Sequence, residues 1–153
     1  MAHALVALGS NLGDRRGTLD EALAALAALP GTRLLRRSRW HETAPVGGPP
    51  GQGEFLNGAA LLETPLSPHD LLAAMTQIEA AAGRTRETPW GPRTLDLDLL
   101  LYDALVSDDP ALALPHPHMH QRRFVLDPAC EVAPGMLHPR SGWTVGALRR
   151  RLA

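Results

Sequence analysis

Asp96 and Asp98 stand two residues apart in the stretch Trp90-Gly91-Pro92-Arg93-Thr94-Leu95-Asp96-Leu97-Asp98. On an extended chain that spacing puts both carboxylates on one face, about 7 Å apart at roughly 3.3 Å per residue. Like charges so placed repel unless a cation joins them. A hard divalent ion such as Mg²⁺ does so, taking carboxylate oxygens and keeping other positions for water and phosphate. Arg93 lies just before the strand that carries the pair, and Arg84 and Arg86 lie in the preceding loop. Guanidiniums grip phosphate oxygens in a fork, so beside metal-holding carboxylates they compose a phosphoryl-transfer site. A plain solvated strand face is the competing reading. The Gly-Pro-Arg entry, Trp90 and the arginines are poor packing material for it.

Further groups invite chemistry elsewhere. Phe55 and Asn57 share a strand face, where a ring and an amide can hold a flat heterocycle by stacking and hydrogen bonding. A core Phe beside a turn-forming Asn is the plainer alternative. Trp90, in an irregular Pro-flanked loop, suits contact with a ligand or a lid. His116, His118 and His120 alternate as zinc ligands on a regular strand would, but Pro115 and Pro117 break such a strand, so single contacts to phosphate are preferred. Gly9 and Gly13 have part of the spacing of a phosphate loop without its Gly-Lys-Ser/Thr ending. Gly9 is read instead as permitting close backbone approach at the end of a central strand.

The elements that must position these groups follow from periodicity. Ala4–Leu8 reads as a buried strand. Leu19, Ala22, Leu23, Leu26 and Leu29 recur at helical spacing, with Asp14 near the start and Pro30-Gly31 at the close. Thr32–Trp40 reads as a strand with Arg33, Arg37 and Arg39 on one side, and His41–Gly53 as a long loop of the kind that binds or covers a ligand. Glu54–Glu63 is strand-like. Ser67, Pro68 and Asp70 start a helix whose apolar stripe is Leu71, Leu72, Met75, Ile78 and Ala82, with Gly83 as its cap. Gly83–Arg93 is a second exposed loop. From Thr94 to Tyr102 the leucines at 95, 97, 99 and 101 form one face, opposite Asp96 and Asp98. A short strand at Leu112–Leu114, a helical or turn segment at Phe124–Val132 and a Thr144-capped helix to Leu152 complete the chain. The order strand, helix, strand, strand, helix, strand is that of an α+β, ferredoxin-like βαββαβ sandwich, here with a C-terminal helical appendage.

Composition sets bounds. The 153 residues fit one domain, 1–153, and bury a real core. A net charge of −1 argues against a nucleic-acid or membrane-surface protein acting by bulk electrostatics. The single cysteine, Cys130, forms no intrachain disulfide, which favours a reducing cytoplasm. Met1–Leu8 lacks a basic n-region and reads as a strand rather than a leader, and no stretch is long enough to span a bilayer.

Taken together, Ala7-Leu8-Gly9-Ser10-Asn11-Leu12-Gly13, Phe55-Leu56-Asn57, Gly83-Arg84, the Trp90–Asp98 stretch and Pro115-His116 with Arg122 beyond form a recognisable series. With these pieces in this order the chain resembles the 6-hydroxymethyl-7,8-dihydropterin pyrophosphokinase family. Gly-Pro-Arg followed two residues on by Asp-x-Asp is the specific part of the signature. The resemblance implies transfer of the β,γ-diphosphate of ATP to the hydroxymethyl group of a reduced pterin, with AMP released. It implies two Mg²⁺ held by Asp96 and Asp98, phosphates gripped by Arg84, Arg93 and His116, and Arg122 near the diphosphate. It further implies Glu79 at the ribose and Leu99 with Leu112 at the adenine. The pterin would lie between Phe55 and Phe124, read by Asn57 and by backbone near Thr43 and Val46, with Trp90 closing over it. A monomer meets these needs. Departures from the family pattern are Pro89 where a basic residue is frequent, Pro117 and Phe55 where relatives carry tyrosine, and an arginine loop one residue shorter. Three other functions compete: a different Mg²⁺-dependent kinase or nucleotidyltransferase, a non-catalytic nucleotide-binding module of the same fold, and a zinc protein built on the histidines.

Overall fold

The computed structural model describes residues 1–11, 13–43, 55–82 and 95–152. Val46, Arg84, Arg86, Pro89, Trp90 and Arg93, the cap Gly83 and most of the two expected loops lie outside the described residues.

The centre is strand β1 (Ala2–Ser10), apolar on both faces, with Ala4, Leu5, Val6 and Leu8 all buried. Such a strand is stable only between neighbours on both edges and layers on both faces. Helix α1 (Arg15–Ala27) follows, its first turn fixed by Asp14, whose carboxylate accepts from the Gly17 N–H at 3.1 Å. Next come β2 (Arg33–Arg37), a short β3 (His41–Thr43) and β4 (Phe55–Thr64), and then α2 (Pro68–Ala81) with Ser67 as its N-cap and Pro68 in its first turn. Strand β5 (Asp96–Tyr102) closes the sheet.

The main sheet runs β2-β4-β1-β5, antiparallel throughout, with β3 also paired to β4. Leaving β3 aside, this is the strand order of the βαββαβ sandwich, α1 and α2 each crossing from one strand to a non-adjacent one. Strand β2 forms an edge, and its arginines discourage pairing with another chain while bonding inward, Arg33 to Glu63 at 3.8 Å and Arg37 to Asp20 at 3.7 Å.

Two cores result. The first lies under α1 and α2 and holds Leu19, Leu26, Leu62, Leu71, Met75, Leu95, Leu97 and Leu99. The second covers the opposite face of the sheet. There α3 (Arg123–Val132) and α4 (Val145–Arg151) pack Leu126, Ala129 and Leu148 against Leu5, Ala59, Leu100 and Leu101. The C-terminal appendage is therefore the third layer of a sandwich. A two-stranded ribbon, β6 (Leu137–His138) with β7 (Trp143–Thr144), joins the two helices, and the Thr144 hydroxyl caps α4 by accepting from the Ala147 N–H.

Three expectations change here. The β1–β5 register slips by one residue between Leu5–Leu101 and Val6–Leu99, so β5 carries an extra residue. This bulge ends the alternation, and Leu101 joins the second core rather than the face of Leu95, Leu97 and Leu99. The segment from His41, expected to be loop, begins with three residues of strand. Leu112–Leu114, expected as a strand, gives a single bridge from Leu114 to Ser107. Among the described residues no helix is long and apolar enough to cross a membrane.

Candidate active site

The sheet register builds the site. Gly9 in β1 is opposite Asn57 in β4 on one side and Asp96 in β5 on the other. One step along, Ala7 is opposite Ala59 and Asp98. With strands about 4.8 Å apart, Asn57 and Asp96 lie in one row roughly 10 Å across. Between them β1 offers only Gly9 and Ala7, so the middle of the site is a floor that bears nothing larger than a methyl group.

A cavity of about 300 Å³ opens over this floor, lined by Ala7, Leu8, Gly9, Thr43, Phe55, Asn57, Gly58, Asp96, Asp98, Arg122, Phe124 and Val125. Phe55 enters from the start of β4 and Phe124 from the first turn of α3. Asn57 is nearly buried and donates from Nδ2 to Thr43 Oγ1 at 2.6 Å, which fixes its amide relative to β3. The cavity thus has an aromatic, amide-bearing half and an acidic half.

Asp96 is half-buried and Asp98 exposed. Beside them runs Pro115-His116, whose backbone extends the edge of β5: the His116 N–H donates to the Leu100 carbonyl at 2.9 Å. The His116 ring then sits with Nε2 3.8 Å from Asp98 Oδ1. Burial holds its pKa below the ordinary histidine range, Asp98 pulls it up, and Arg122 and His118 push it down. Arg122 closes the same corner, its guanidinium 5.9 Å from the Phe124 ring. Two hard oxygen donors on one wall of an accessible cavity suit a divalent cation that also carries phosphate oxygens.

Glu79 has a task that no spacing rule suggests. From the last turns of α2 its Oε2 accepts the backbone N–H of Leu97, the residue between the two aspartates, at 2.9 Å. An edge-strand donor is thereby satisfied and β5 is tied to α2 where the carboxylates project. In Glu79→Gln a carbonyl oxygen still accepts this bond, whereas Glu79→Ala leaves the Leu97 N–H to solvent. Amide exchange at Leu97 is expected to accelerate by about tenfold in the alanine variant, the loss of one hydrogen bond, and little in the glutamine one. Equal protection in both variants would contradict the tie.

Leu99 and Leu112 are buried in the first core and are absent from the cavity lining. The three histidines do not converge. His116 and His118 rings are 6.4 Å apart, while His120 turns away to face His138 at 5.8 Å. Burial, and then His120, hold His138 below the ordinary histidine range. Among the described residues no group of three or more His, Cys, Asp or Glu side chains is placed to hold a metal, which removes the zinc reading from this segment. Sequence reasoning missed Ala7, Leu8, Gly58 and Val125 as lining residues. The signal present was the run of small residues at alternate positions of β1.

Comparison with known proteins agrees with this architecture. A family model described as 7,8-dihydro-6-hydroxymethylpterin-pyrophosphokinase (HPPK) matches residues 5–134. The chain is 48% identical over 134 residues to the 2-amino-4-hydroxy-6-hydroxymethyldihydropteridine pyrophosphokinase of Pseudomonas aeruginosa, covering 88% of this chain and 82% of that protein. It is 44% identical over 137 residues to the enzyme of that name from Methylorubrum extorquens, covering 90% and 86%. Among solved structures, a Plasmodium falciparum HPPK-DHPS triple mutant with pteroate superposes with a TM-score of 0.75 at 13% identity, over 99% of this chain and 43% of that one. The wild type with pteroate gives 0.74 at 11% identity, over 99% and 44%. The chain thus spans less than half the length of those solved chains, and at such identities they speak to the fold. The chain belongs to the 7,8-dihydro-6-hydroxymethylpterin-pyrophosphokinase family.

Proposed function

We propose that this chain is an ATP-dependent pyrophosphokinase that moves the diphosphate of ATP onto the hydroxymethyl group of 6-hydroxymethyl-7,8-dihydropterin, a step of folate biosynthesis. The observation that carries the reading is the single cavity in which Phe55, Asn57 and Phe124 face Asp96 and Asp98 across the floor of small residues. A bicyclic heterocycle held by two rings and an amide at one end directs its one-carbon arm toward the carboxylates at the other.

In this reading Phe55 and Phe124 sandwich the pterin and Asn57 reads its polar edge, with Thr43 and the backbone near Val46 completing the contact. The pterin hydroxyl oxygen attacks the β-phosphorus of ATP, the bond from that phosphorus to the oxygen bridging the α-phosphate breaks, and AMP leaves with the bridging oxygen. Asp96 and Asp98 would hold Mg²⁺, two ions in all, and the metal when bound screens the triphosphate charge and lowers the pKa of the attacking hydroxyl. His116 and Arg122 add donors on the acidic side, His116 as a neutral imidazole favoured by its burial. Arg84 and Arg93 take the phosphates and Trp90 covers the pterin. Glu79 reaches the ribose in addition to holding β5. All these groups come from one chain, so a monomer working as a single domain suffices. The cytoplasm supplies both small-molecule substrates, and neither nucleic acid nor membrane is needed.

The test is incubation with ATP, Mg²⁺ and the reduced hydroxymethylpterin, followed by identification of the nucleotide product. AMP formed in step with pterin diphosphate is expected. ADP would indicate an ordinary kinase, and ATP binding without turnover a regulatory module; either overturns the proposal.

A further inference from the structure

Gly9 sits at the midpoint of the row Asn57–Gly9–Asp96. Backbone conformation does not call for glycine there. Among the described residues the glycines with positive φ are Gly13, Gly31 and Gly142, and Gly9 lies in a regular strand where any residue is admitted. Space does call for it. A Cβ built on Gly9 would stand 2.9 Å from Asn57 Oδ1, closer than carbon and oxygen settle without displacement, while the next atom, the Leu56 carbonyl oxygen, is 3.9 Å away. The amide of Asn57 is thus held at both ends. Its nitrogen donates to Thr43 Oγ1 at 2.6 Å, and its oxygen rests over the bare Cα of Gly9.

We infer that Gly9 is a specificity-determining position for the heterocycle: lacking a side chain, it lets the Asn57 amide oxygen lie over β1 as an acceptor facing the cavity. The inference deepens the pyrophosphokinase reading and rests on it. The obstructed atom is the far end of a rotatable side chain, so an added methyl turns the amide aside without moving β1. Meanwhile Gly→Ala at an ordinary strand conformation removes freedom from the unfolded chain, which largely offsets the bond that the displaced amide loses. The damage therefore falls on recognition. A rotated amide gives up its bond to Thr43 and presents a different pattern of donor and acceptor to the polar edge of the pterin. The ATP side, one strand away on β5, keeps its geometry.

The experiment measures the dissociation constant of 6-hydroxymethyl-7,8-dihydropterin, with a non-hydrolysable ATP analogue present, for the parent, Gly9→Ala, Asn57→Ala and the double variant. Gly9→Ala should weaken pterin binding by on the order of tenfold, the cost of one misdirected hydrogen bond. Its Tm should stay within a few degrees of the parent's, and its KM for ATP should change by less than about twofold. Asn57→Ala should weaken binding similarly, and adding Gly9→Ala to it should cost nothing more, because the position acts through the amide. Thr43→Val, which frees the other end, should weaken binding in the same sense and keeps the test decisive if Gly9→Ala folds poorly. Parent-like pterin affinity in Gly9→Ala or Thr43→Val, or an equal cost of Gly9→Ala with and without Asn57, would overturn the inference. Parent-like affinity in Asn57→Ala would instead remove Asn57 from the pterin site and the inference with it.

Discussion

Asp96→Ala and Asp98→Ala are each expected to lower kcat by roughly a thousandfold, the scale on which loss of one preorganised electrostatic contact acts, and to leave the fold intact. The separation of the two effects follows from β5. Its inner face carries Leu95, Leu97 and Leu99, exposed by 1%, 6% and 5%, and these bind the strand to the first core. The carboxylates project from the other face into the cavity and contribute nothing to that packing. Because the leucine face carries the packing, each variant should melt near the parent temperature in chelator. Asp96→Asn and Asp98→Asn preserve shape and remove charge, and they should lose turnover nearly as completely. Steady-state assays beside thermal melts check both halves. Near-parent turnover in either alanine variant would contradict the role given to the pair.

Gly58→Ala is expected to cost about 1–3 kcal/mol of stability, the range for forcing extra volume into a packed interior, and to lower Tm by several degrees. The added Cβ would stand 2.3 Å from two carbons of the Trp40 ring and 3.1 Å from Ser38 Oγ. Unlike the amide over Gly9, this ring cannot swing clear. Trp40 donates from Nε1 to Asp20 at 3.1 Å, packs against the first core and carries the Arg37 guanidinium 4.5 Å over its face. Ser38 is equally committed, its hydroxyl accepting from the Ala59 N–H and donating to the Arg39 carbonyl. Since Gly58 adjoins Asn57, a shift of β4 here would also disturb the aromatic, amide-bearing half of the cavity. In a Trp40→Ala background the cost of Gly58→Ala should largely vanish. A Tm unchanged by Gly58→Ala in the parent would refute the contact.

These contrasts show which parts of the molecule were legible in the sequence. The N-caps at Ser67 and Thr144 were, because a cap is a local transaction between a side chain and an N–H within one turn. The aspartate pair was, because a period of two fixes which face a residue takes. Leu101 was not, because the bulge that redirects it arises from pairing with β1. Strand β3 was invisible for a similar reason: His41-Glu42-Thr43 has no apolar alternation and is a strand only because β4 lies beside it. The tie from Glu79 to Leu97 ends on a backbone N–H, which has no signature in a sequence. The meeting of Phe124 with Phe55 was anticipated through the family resemblance alone, because helical periodicity leaves open which side of the sheet α3 crosses.

The position of β3 also depends on a contact of this kind. Glu131, near the end of α3, accepts from the Arg39 N–H at 3.1 Å and pairs with the His41 ring. Burial alone would raise its pKa, but these partners outweigh burial and hold it below the usual carboxylate range. The helix that presents Phe124 is thereby tied to the strand that presents Thr43, so the two sides of the aromatic half of the cavity are set relative to one another.

The central claim is tested most directly by a crystal structure of the protein with Mg²⁺, a non-hydrolysable ATP analogue and 6-hydroxymethyl-7,8-dihydropterin. The expected result is the pterin ring between Phe55 and Phe124, its hydroxymethyl group toward β5, and oxygens of both Asp96 and Asp98 on metal that also touches the triphosphate. A pterin bound elsewhere, or a triphosphate whose metal is held without those two carboxylates, would contradict it.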